Sequence, residues 1–259
     1  MLYYKTYKHP SSEEWVVFIH GAGGSSAVWH KQIREFRESF NLLLIDLRGH
    51  GKSANQIKNL WNEAYTFEAV TKDIIEVLEH LALPPVHLMG VSLGTILARQ
   101  LAEMAPHRVK SMVMAGAVTR LTVTSRFLVF FGNTFKNVLP YMWLYRLFAW
   151  IIMPRANHAE SRNLFVREAK RLCQKEFLKW FKLTKDINPL LKYFKEKDIP
   201  VPTLYIMGEQ DIMFLEPVKK IVREHKLSIL KVVKDCGHVV NVERPEVFNQ
   251  YSLEFIKNQ

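Results

Sequence analysis

The segment Gly90-Val91-Ser92-Leu93-Gly94 constrains this chain more than any other. Before it, Val86, Leu88 and Met89 read as the end of a buried strand. After it, Thr95 to Ala105 reads as a helix, with Ile96, Leu97, Leu101, Ala102 and Ala105 at near-helical spacing. A Gly-x-Ser-x-Gly at a strand-to-helix junction predicts a nucleophile elbow, a turn so tight that only small residues fit two positions either side of the serine. Such a turn lifts the hydroxyl above the sheet edge. It also aims a helix N-terminus at any oxygen that becomes negative during attack.

The rest of the first third alternates in the same way. Trp15 to Ile19 and Leu42 to Ile45 read as buried strands, and Ala27 to Ser39 between them carries helical periodicity. Thr66 to Leu81 predicts a second helix, with Val70, Ile74, Val77, Leu78 and Leu81 on one face. Pro84-Pro85 closes that segment, and Val109 to Ala115 is a further strand. Strands alternating with helices imply βαβ units and a mostly parallel sheet with flanking helices, an α/β fold. The pattern changes from Thr119 to Lys197, where only helical segments rich in aromatics and lysines occur. Phe127 to Met153 is the most apolar stretch, but Asn133, Lys136, Asn137, Pro140 and Arg146 interrupt it, so it predicts short amphipathic helices, not a membrane span. Pro200-Val201-Pro202 marks the return to the sheet, followed by strands at Thr203 to Met207 and Leu230 to Val233 and a closing helix at Pro245 to Ile256. The expected organisation is a core of residues 1–118 and 198–259 with a helical cap insertion, 119–197, over the carboxyl edge of the sheet, where ligands bind in open α/β folds.

At 259 residues, 48% hydrophobic and 24% charged, the chain has an ordinary globular composition and can bury a sizeable core. Cys173 and Cys236 lie far apart without metal-ligand spacing and read as free thiols. Met1 to Lys5 carries no apolar h-region, so no signal peptide is expected and a cytoplasmic location follows by default. The net charge of +11 is compatible with acidic partners, an anionic membrane surface or anionic substrates, and a solvated basic face explains it most simply. No nucleic-acid-binding signature accompanies it, and a nucleic-acid partner is not expected. Peripheral contact of the basic, aromatic insertion with anionic lipid stays open at this point.

A serine hydroxyl needs a base within hydrogen-bond reach, itself oriented by a carboxylate. Asp211, in Gly208-Glu209-Gln210-Asp211, and His238, in Asp235-Cys236-Gly237-His238, each follow a predicted strand, and the order Ser92, Asp211, His238 is that expected on such a sheet. Asp235 and Glu209 are alternative acids. His9, His30, His80, His107, His158 and His225 read as surface residues, and His87 as structural. Attack on a carbonyl also requires donors for the developing oxyanion. The loop His20-Gly21-Ala22-Gly23-Gly24-Ser25 follows a strand next to the elbow, so the N–H of Ala22 pairs naturally with that of Leu93. A phosphate-cradling role is disfavoured because no Gly-Lys-Ser/Thr ending follows. Asp46-Leu47-Arg48-Gly49-His50-Gly51-Lys52-Ser53 reads as a charged turn pinned by hydrogen bonds. No cofactor or metal is implied.

Taken in order, the His-Gly loop, Asp-x-Arg-Gly-His-Gly-x-Ser, Gly-x-Ser-x-Gly, Gly-Glu-x-Asp and the late Gly-His resemble the α/β-hydrolase superfamily over nearly the whole chain. The resemblance implies a Ser92 nucleophile, an Asp211 acid, a His238 base and a cap formed by the middle insertion. It is to the esterase-like branch, which also holds cofactor-free haloperoxidases, carbon–carbon bond hydrolases and thioesterases. Haloalkane dehalogenases and most epoxide hydrolases carry aspartate where Ser92 stands. The expected activity is hydrolysis of a small-molecule carboxylic ester or thioester through an acyl-enzyme on Ser92. Phe127, Phe130, Phe131, Phe135, Trp143, Phe148 and Trp150 suggest a largely apolar acyl or alcohol part, unless they only pack the cap helices together. The alternatives are a slow-turnover, ligand-sensing signalling protein of the same fold, or C–C bond hydrolysis.

Overall fold

The computed structural model describes residues 1–55 and 65–259. Seven strands are present among them: β1 (Tyr4–Tyr7), β2 (Trp15–Ile19), β3 (Asn41–Ile45), β4 (Val86–Val91), β5 (Val109–Ala115), β6 (Thr203–Gly208) and β7 (Ser228–Val233). They form one sheet in the order β1-β3-β2-β4-β5-β6-β7, in which β1 runs antiparallel to β3 and every other pair is parallel. The chain therefore winds outward from β2 and β4 in both directions, as the alternation of strands and helices requires.

Strand composition explains the layering. β2, β3 and β4 are buried along their whole length, and their side chains alternate between two separate cores. Val17, Ile19, Leu43, Ile45 and Leu88 pack on one face beneath α2 (Phe67–His80), α3 (Leu93–Met104) and α9 (Leu215–Glu224). Val16, Phe18, Leu42, Leu44, Met89 and Val91 pack on the other beneath α1 (His30–Phe36), α10 (Val240–Glu243) and α11 (Pro245–Lys257). A parallel sheet covered on both faces needs near-continuous apolar strands, and these segments are apolar apart from Asn41 and His87. Thr66 caps α2, its side chain accepting the Ala69 N–H at 3.0 Å. Leu81 closes that helix and Ala82 turns with φ 47°, so α2 ends before Pro84-Pro85.

Between β5 and β6 the chain forms α4 (Val123–Phe135), α5 (Tyr141–Ile152), α6 (Ala159–Ala169), α7 (Gln174–Lys182) and α8 (Ile187–Glu196). α5, α6 and α7 share a small core of their own, built on Leu144, Tyr145, Ala169, Leu172, Phe177 and Phe181. No helix among the described residues is long and apolar enough to cross a membrane. Cys173 and Cys236 are both free thiols.

Three local expectations need correction. The helix expected over Ala27 to Ser39 is split into a 3-10 turn, Ser26–Trp29, and the short α1, because the Ser25 hydroxyl caps the turn through the Ala27 N–H at 3.2 Å. His158 and His225 are buried, not on the surface: the His158 ring meets Gln210 Oε1 at 2.8 Å, and that of His225 the Lys195 carbonyl at 3.0 Å. The aromatics expected to make the insertion apolar inside divide into two sets. Phe148 lines the cavity described below, whereas Phe127, Phe130, Phe135, Trp143 and Trp150 are exposed.

Candidate active site

Ser92 sits at the junction of β4 and α3 with φ 53° and ψ −119°, a left-handed conformation uncommon for a residue with a side chain. Its own N–H is tied to the Ala115 carbonyl of β5 at 3.0 Å, which anchors the strained residue to the neighbouring strand. The glycines either side are obligatory. A Cβ on Gly90 would lie 2.6 Å from the Gly94 carbonyl oxygen, and one on Gly94 would lie 2.2 Å from the Ile19 carbonyl oxygen. Backbone cannot yield there as a flexible side chain does.

Two other strand ends bring partners to this hydroxyl. His238 follows β7, and its Nε2 lies 3.0 Å from Ser92 Oγ. Its Nδ1 lies 2.8 Å from Oδ2 of Asp211, which follows β6. The second carboxylate oxygen of Asp211 accepts the Phe214 N–H at 3.2 Å, so both oxygens are committed. Asp211 and His238 are 1% and 4% exposed, so water competes little for these bonds. Gly116, just after β5 with φ 50°, lets the histidine loop close in: a Cβ there would be 2.2 Å from the His238 carbonyl oxygen. The alternative acids lie elsewhere. Glu209 Oε2 accepts from the Asp235 N–H and Asp235 Oδ1 from the Gln210 amide, each at 3.4 Å.

The glycine-rich loop after β2 is held beside Ser92 by the charged turn. His50 Nε2 accepts the Gly23 N–H at 3.0 Å, and its Nδ1–H donates to the Arg48 carbonyl at 2.8 Å. His20 is used the same way, accepting the Leu47 N–H at 3.0 Å. Burial pushes the His50 imidazole down to about 3, helped by the adjacent His20, and burial lowers His20 as well. Both rings are thus neutral acceptors. Asp46 takes the Ser26 and Lys52 N–H groups at 2.7 and 2.8 Å, closing the other end of the loop. With the N–H groups of Gly23, Gly24 and Ser92 engaged, those of Ala22 and Leu93 have no partner among the described residues.

A cavity of about 280 Å³ opens onto Ser92 and His238. Its walls come from the core through Val28, Phe67, Ile96 and Met213, and from the insertion through Leu128, Val129, Tyr145, Phe148, Ile152, Phe177, Trp180 and Phe181. Sequence reading missed most of these insertion residues, and also two polar ones. The Glu168 carboxylate is 3% exposed, lines the cavity and accepts from the Ser25 hydroxyl at 2.7 Å. Ser161 also lines it and donates to Glu243 at 2.7 Å. The Phe214 N–H bond was within reach of sequence: an aspartate accepting from a backbone N–H three residues on is a recurrent local turn. No group of three or more His, Cys, Asp or Glu side chains among the described residues is placed to hold a metal ion.

A model of the alpha/beta hydrolase fold matches residues 14–142. The hydrolase YugF of Bacillus subtilis is 25% identical, over 99% of this chain and 94% of that protein. The 3-oxoadipate enol-lactonase 2 of Acinetobacter baylyi is 22% identical, over 90% of this chain and 85% of its own. Among solved structures, MenH from S. aureus superposes with a TM-score of 0.80 at 20% identity, covering 100% of this chain and 99% of that one. The chain belongs to the α/β-hydrolase superfamily of enzymes.

Proposed function

We propose that the chain is a serine hydrolase, cleaving a carboxylic ester or thioester with a largely apolar acyl or alcohol part through an acyl-enzyme on Ser92. The observation that carries this reading is the unbroken relay from Ser92 Oγ to His238 Nε2 at 3.0 Å and from His238 Nδ1 to Asp211 at 2.8 Å. His238 Nε2 takes the hydroxyl proton as Oγ bonds to the carbonyl carbon, and Asp211 holds the ring in the tautomer that leaves Nε2 free to accept. The N–H groups of Ala22 and Leu93 receive the carbonyl oxygen as it becomes negative, with the α3 N-terminus behind them. Collapse breaks the bond to the alkoxide or thiolate, which leaves with the proton from His238. Water then gives a proton to the same nitrogen and adds to the acyl carbon, and Ser92 departs with its proton restored.

The apolar cavity walls supply the preference for an apolar substrate part. The relatives support an ester in general terms: one is named an enol-lactonase, and another, 24% identical, a pimeloyl-[acyl-carrier protein] methyl ester esterase. The test is hydrolysis of p-nitrophenyl esters from acetyl to dodecanoyl by wild type and Ser92→Ala. Turnover in wild type and its loss in the variant are expected, with a chain-length optimum set by the cavity. Turnover by Ser92→Ala at the wild-type rate overturns the assignment. A single burst of p-nitrophenol without further turnover points to the ligand-sensing alternative instead.

A further inference from the structure

The two helices that roof the cavity are apolar on both sides. In α4 the residues that face inward are Ser125, Leu128 and Gly132, and in α5 they are Leu144, Tyr145 and Ala149. On the opposite side of each helix runs a second stripe at i, i+4 and i+7: Val123, Phe127 and Phe130 on α4, Trp143, Leu147 and Trp150 on α5. These side chains are open to solvent, Phe130 at 68%, Trp143 at 66%, Phe127 at 60% and Trp150 at 57%. A surface helix ordinarily turns charged residues outward, and solvent-facing phenylalanine and tryptophan in such number mark a surface with a partner.

The charges around the stripes indicate what that partner is. From Met104 to Ala159 the sequence contains no aspartate or glutamate, while Arg120, Arg126, Lys136, Arg146 and Arg155 fall within it. None of these five cations makes an ion pair among the described residues. Arg120 and Arg126 line a surface cleft at the start of α4 together with Lys220, where the only carboxylate, Glu216, is paired with Lys219 at 2.6 Å. At the far end, the Arg162 guanidinium stacks 3.8 Å from the Trp150 ring. Aromatic side chains flanked by arginine and lysine, on helices that carry no carboxylate of their own, are the composition of a helix that lies in a lipid headgroup region.

We infer that the outward face of α4 and α5 docks on an anionic lipid bilayer, setting the roof of the Ser92 cavity against the membrane. Phe127, Phe130, Trp143 and Trp150 enter the headgroup boundary, and Arg120, Arg126 and Arg146 contact lipid phosphates. The substrate class that follows is a long-chain ester dissolved in the bilayer, and this second step rests on the ester-hydrolase reading above.

Sedimentation with vesicles tests the docking separately from the chemistry. Wild type and Ser92→Ala are both expected to sediment with phosphatidylcholine vesicles containing phosphatidylserine, to stay free with phosphatidylcholine alone, and to be released by high salt. Each cation near the surface contributes about 1 kcal/mol, so Arg126→Gln is expected to weaken partitioning about fivefold. The pair Phe130→Ser with Trp143→Ser is expected to abolish sedimentation and the hydrolysis of a vesicle-embedded ester, with the rate on soluble p-nitrophenyl butyrate unchanged. That unchanged rate also verifies folding. Wild type remaining free of anionic vesicles overturns the inference, as does a double variant that sediments like wild type. It also fails if wild type is a dimer that the double variant splits without lipid, since the face is then covered by a second copy. Sedimentation without turnover on any ester would leave the docking standing and remove only the hydrolase reading.

Discussion

Asp211→Asn separates the proposed relay from a merely adjacent set of polar groups. In the wild type both carboxylate oxygens accept, one from His238 Nδ1–H at 2.8 Å and one from the Phe214 N–H at 3.2 Å. An amide of the same shape has one acceptor and one donor end, so it cannot satisfy both. With its NH2 toward His238, the ring must accept at Nδ1 and carry its proton on Nε2, where it no longer takes one from Ser92. With its oxygen toward His238, the NH2 faces the Phe214 N–H, and a buried donor is left unpaired at a cost of about 1–3 kcal/mol. The first arrangement avoids that cost and is the one expected to dominate. Even in the second, the negative charge that steadies the imidazolium during attack is gone. The combined loss is expected to be about 10³–10⁴-fold in kcat, with KM little changed, because the carboxylate touches no substrate atom. Steady-state hydrolysis of p-nitrophenyl butyrate by purified protein reads this directly, with Asp235→Asn and Glu209→Gln as comparators expected to stay within about threefold of wild type. An Asp211→Asn enzyme within tenfold of wild type would refute the relay, as would an Asp235→Asn or Glu209→Gln enzyme that had lost its activity instead.

Gly94→Ala is expected to destabilise the fold by about 1–3 kcal/mol and to remove ester turnover, because its Cβ would sit 2.2 Å from the Ile19 carbonyl oxygen; urea unfolding alongside the esterase assay checks both. Acid should weaken the protein through His50, whose imidazole is held at about 3 against an ordinary 6.5. The unfolded chain binds this proton between those values and the native one does not, so stability is full above pH 6.5 and falls as pH drops toward 3, by about 2 kcal/mol at pH 5. Urea unfolding at both pH values reads the difference, and no loss between pH 7 and 5 would show that the folded chain protonates His50 as readily as the unfolded one, giving up the Gly23 N–H bond at no cost. Glu168→Ala should free Ser25 and loosen the loop that carries Ala22, lowering kcat more than it raises KM; an unchanged kcat would place Glu168 outside the support of that loop.

Much of the sheet is legible in sequence because a strand buried on both faces is dominated by apolar residues, as in Trp15–Ile19 and in Leu42 to Ile45 of β3. The edges are not legible for the same reason. β1 reads Tyr-Lys-Thr-Tyr, is half-exposed, and becomes a strand only by pairing antiparallel with β3. β7 begins at Ser228, two residues before the apolar run at Leu230, because an edge strand needs burial on fewer of its positions. In α9, Leu215, Val218 and Ile221 carry the helical period, but Pro217 beside them reads as a breaker, although in a first turn its missing N–H costs no hydrogen bond. The Ser92, Asp211 and His238 positions are readable because each follows a strand of one parallel sheet, and parallel strands deliver their carboxyl ends to one edge. His158 illustrates the opposite limit: its neighbours Asn157 and Ala159 look like surface, and residues distant in sequence, Gln210, Gly237 and Glu243, pack against its ring.

The insertion is hardest to read because hydrophobic periodicity reports that a side chain is apolar, not what it faces. In α4, Leu128 meets the cavity and Phe127 and Phe130 meet solvent, yet the three residue types are interchangeable to any count of apolar positions. A helix with one apolar stripe has one orientation that satisfies it; a helix apolar on two sides has two, and the fit against what lies beneath decides which stripe turns inward. Small residues make that choice here. Gly132 lies on the inner line of α4, where a Cβ would meet the Phe181 ring at 2.2 Å and the Phe148 ring at 3.1 Å. Ala149 occupies the corresponding inner line of α5 and is fully buried. Close approach of α4 to the aromatic wall therefore requires the glycine side inward, which leaves the phenylalanines outward whatever their hydrophobicity prefers. Gly132→Leu should consequently push α4 off Phe148 and Phe181 and change the chain-length optimum for p-nitrophenyl esters, while the distance from Ser92 to His238, set by β4 and the loop after β7, stays as it is. An unchanged optimum in that variant would mean that α4 does not bound the acyl site.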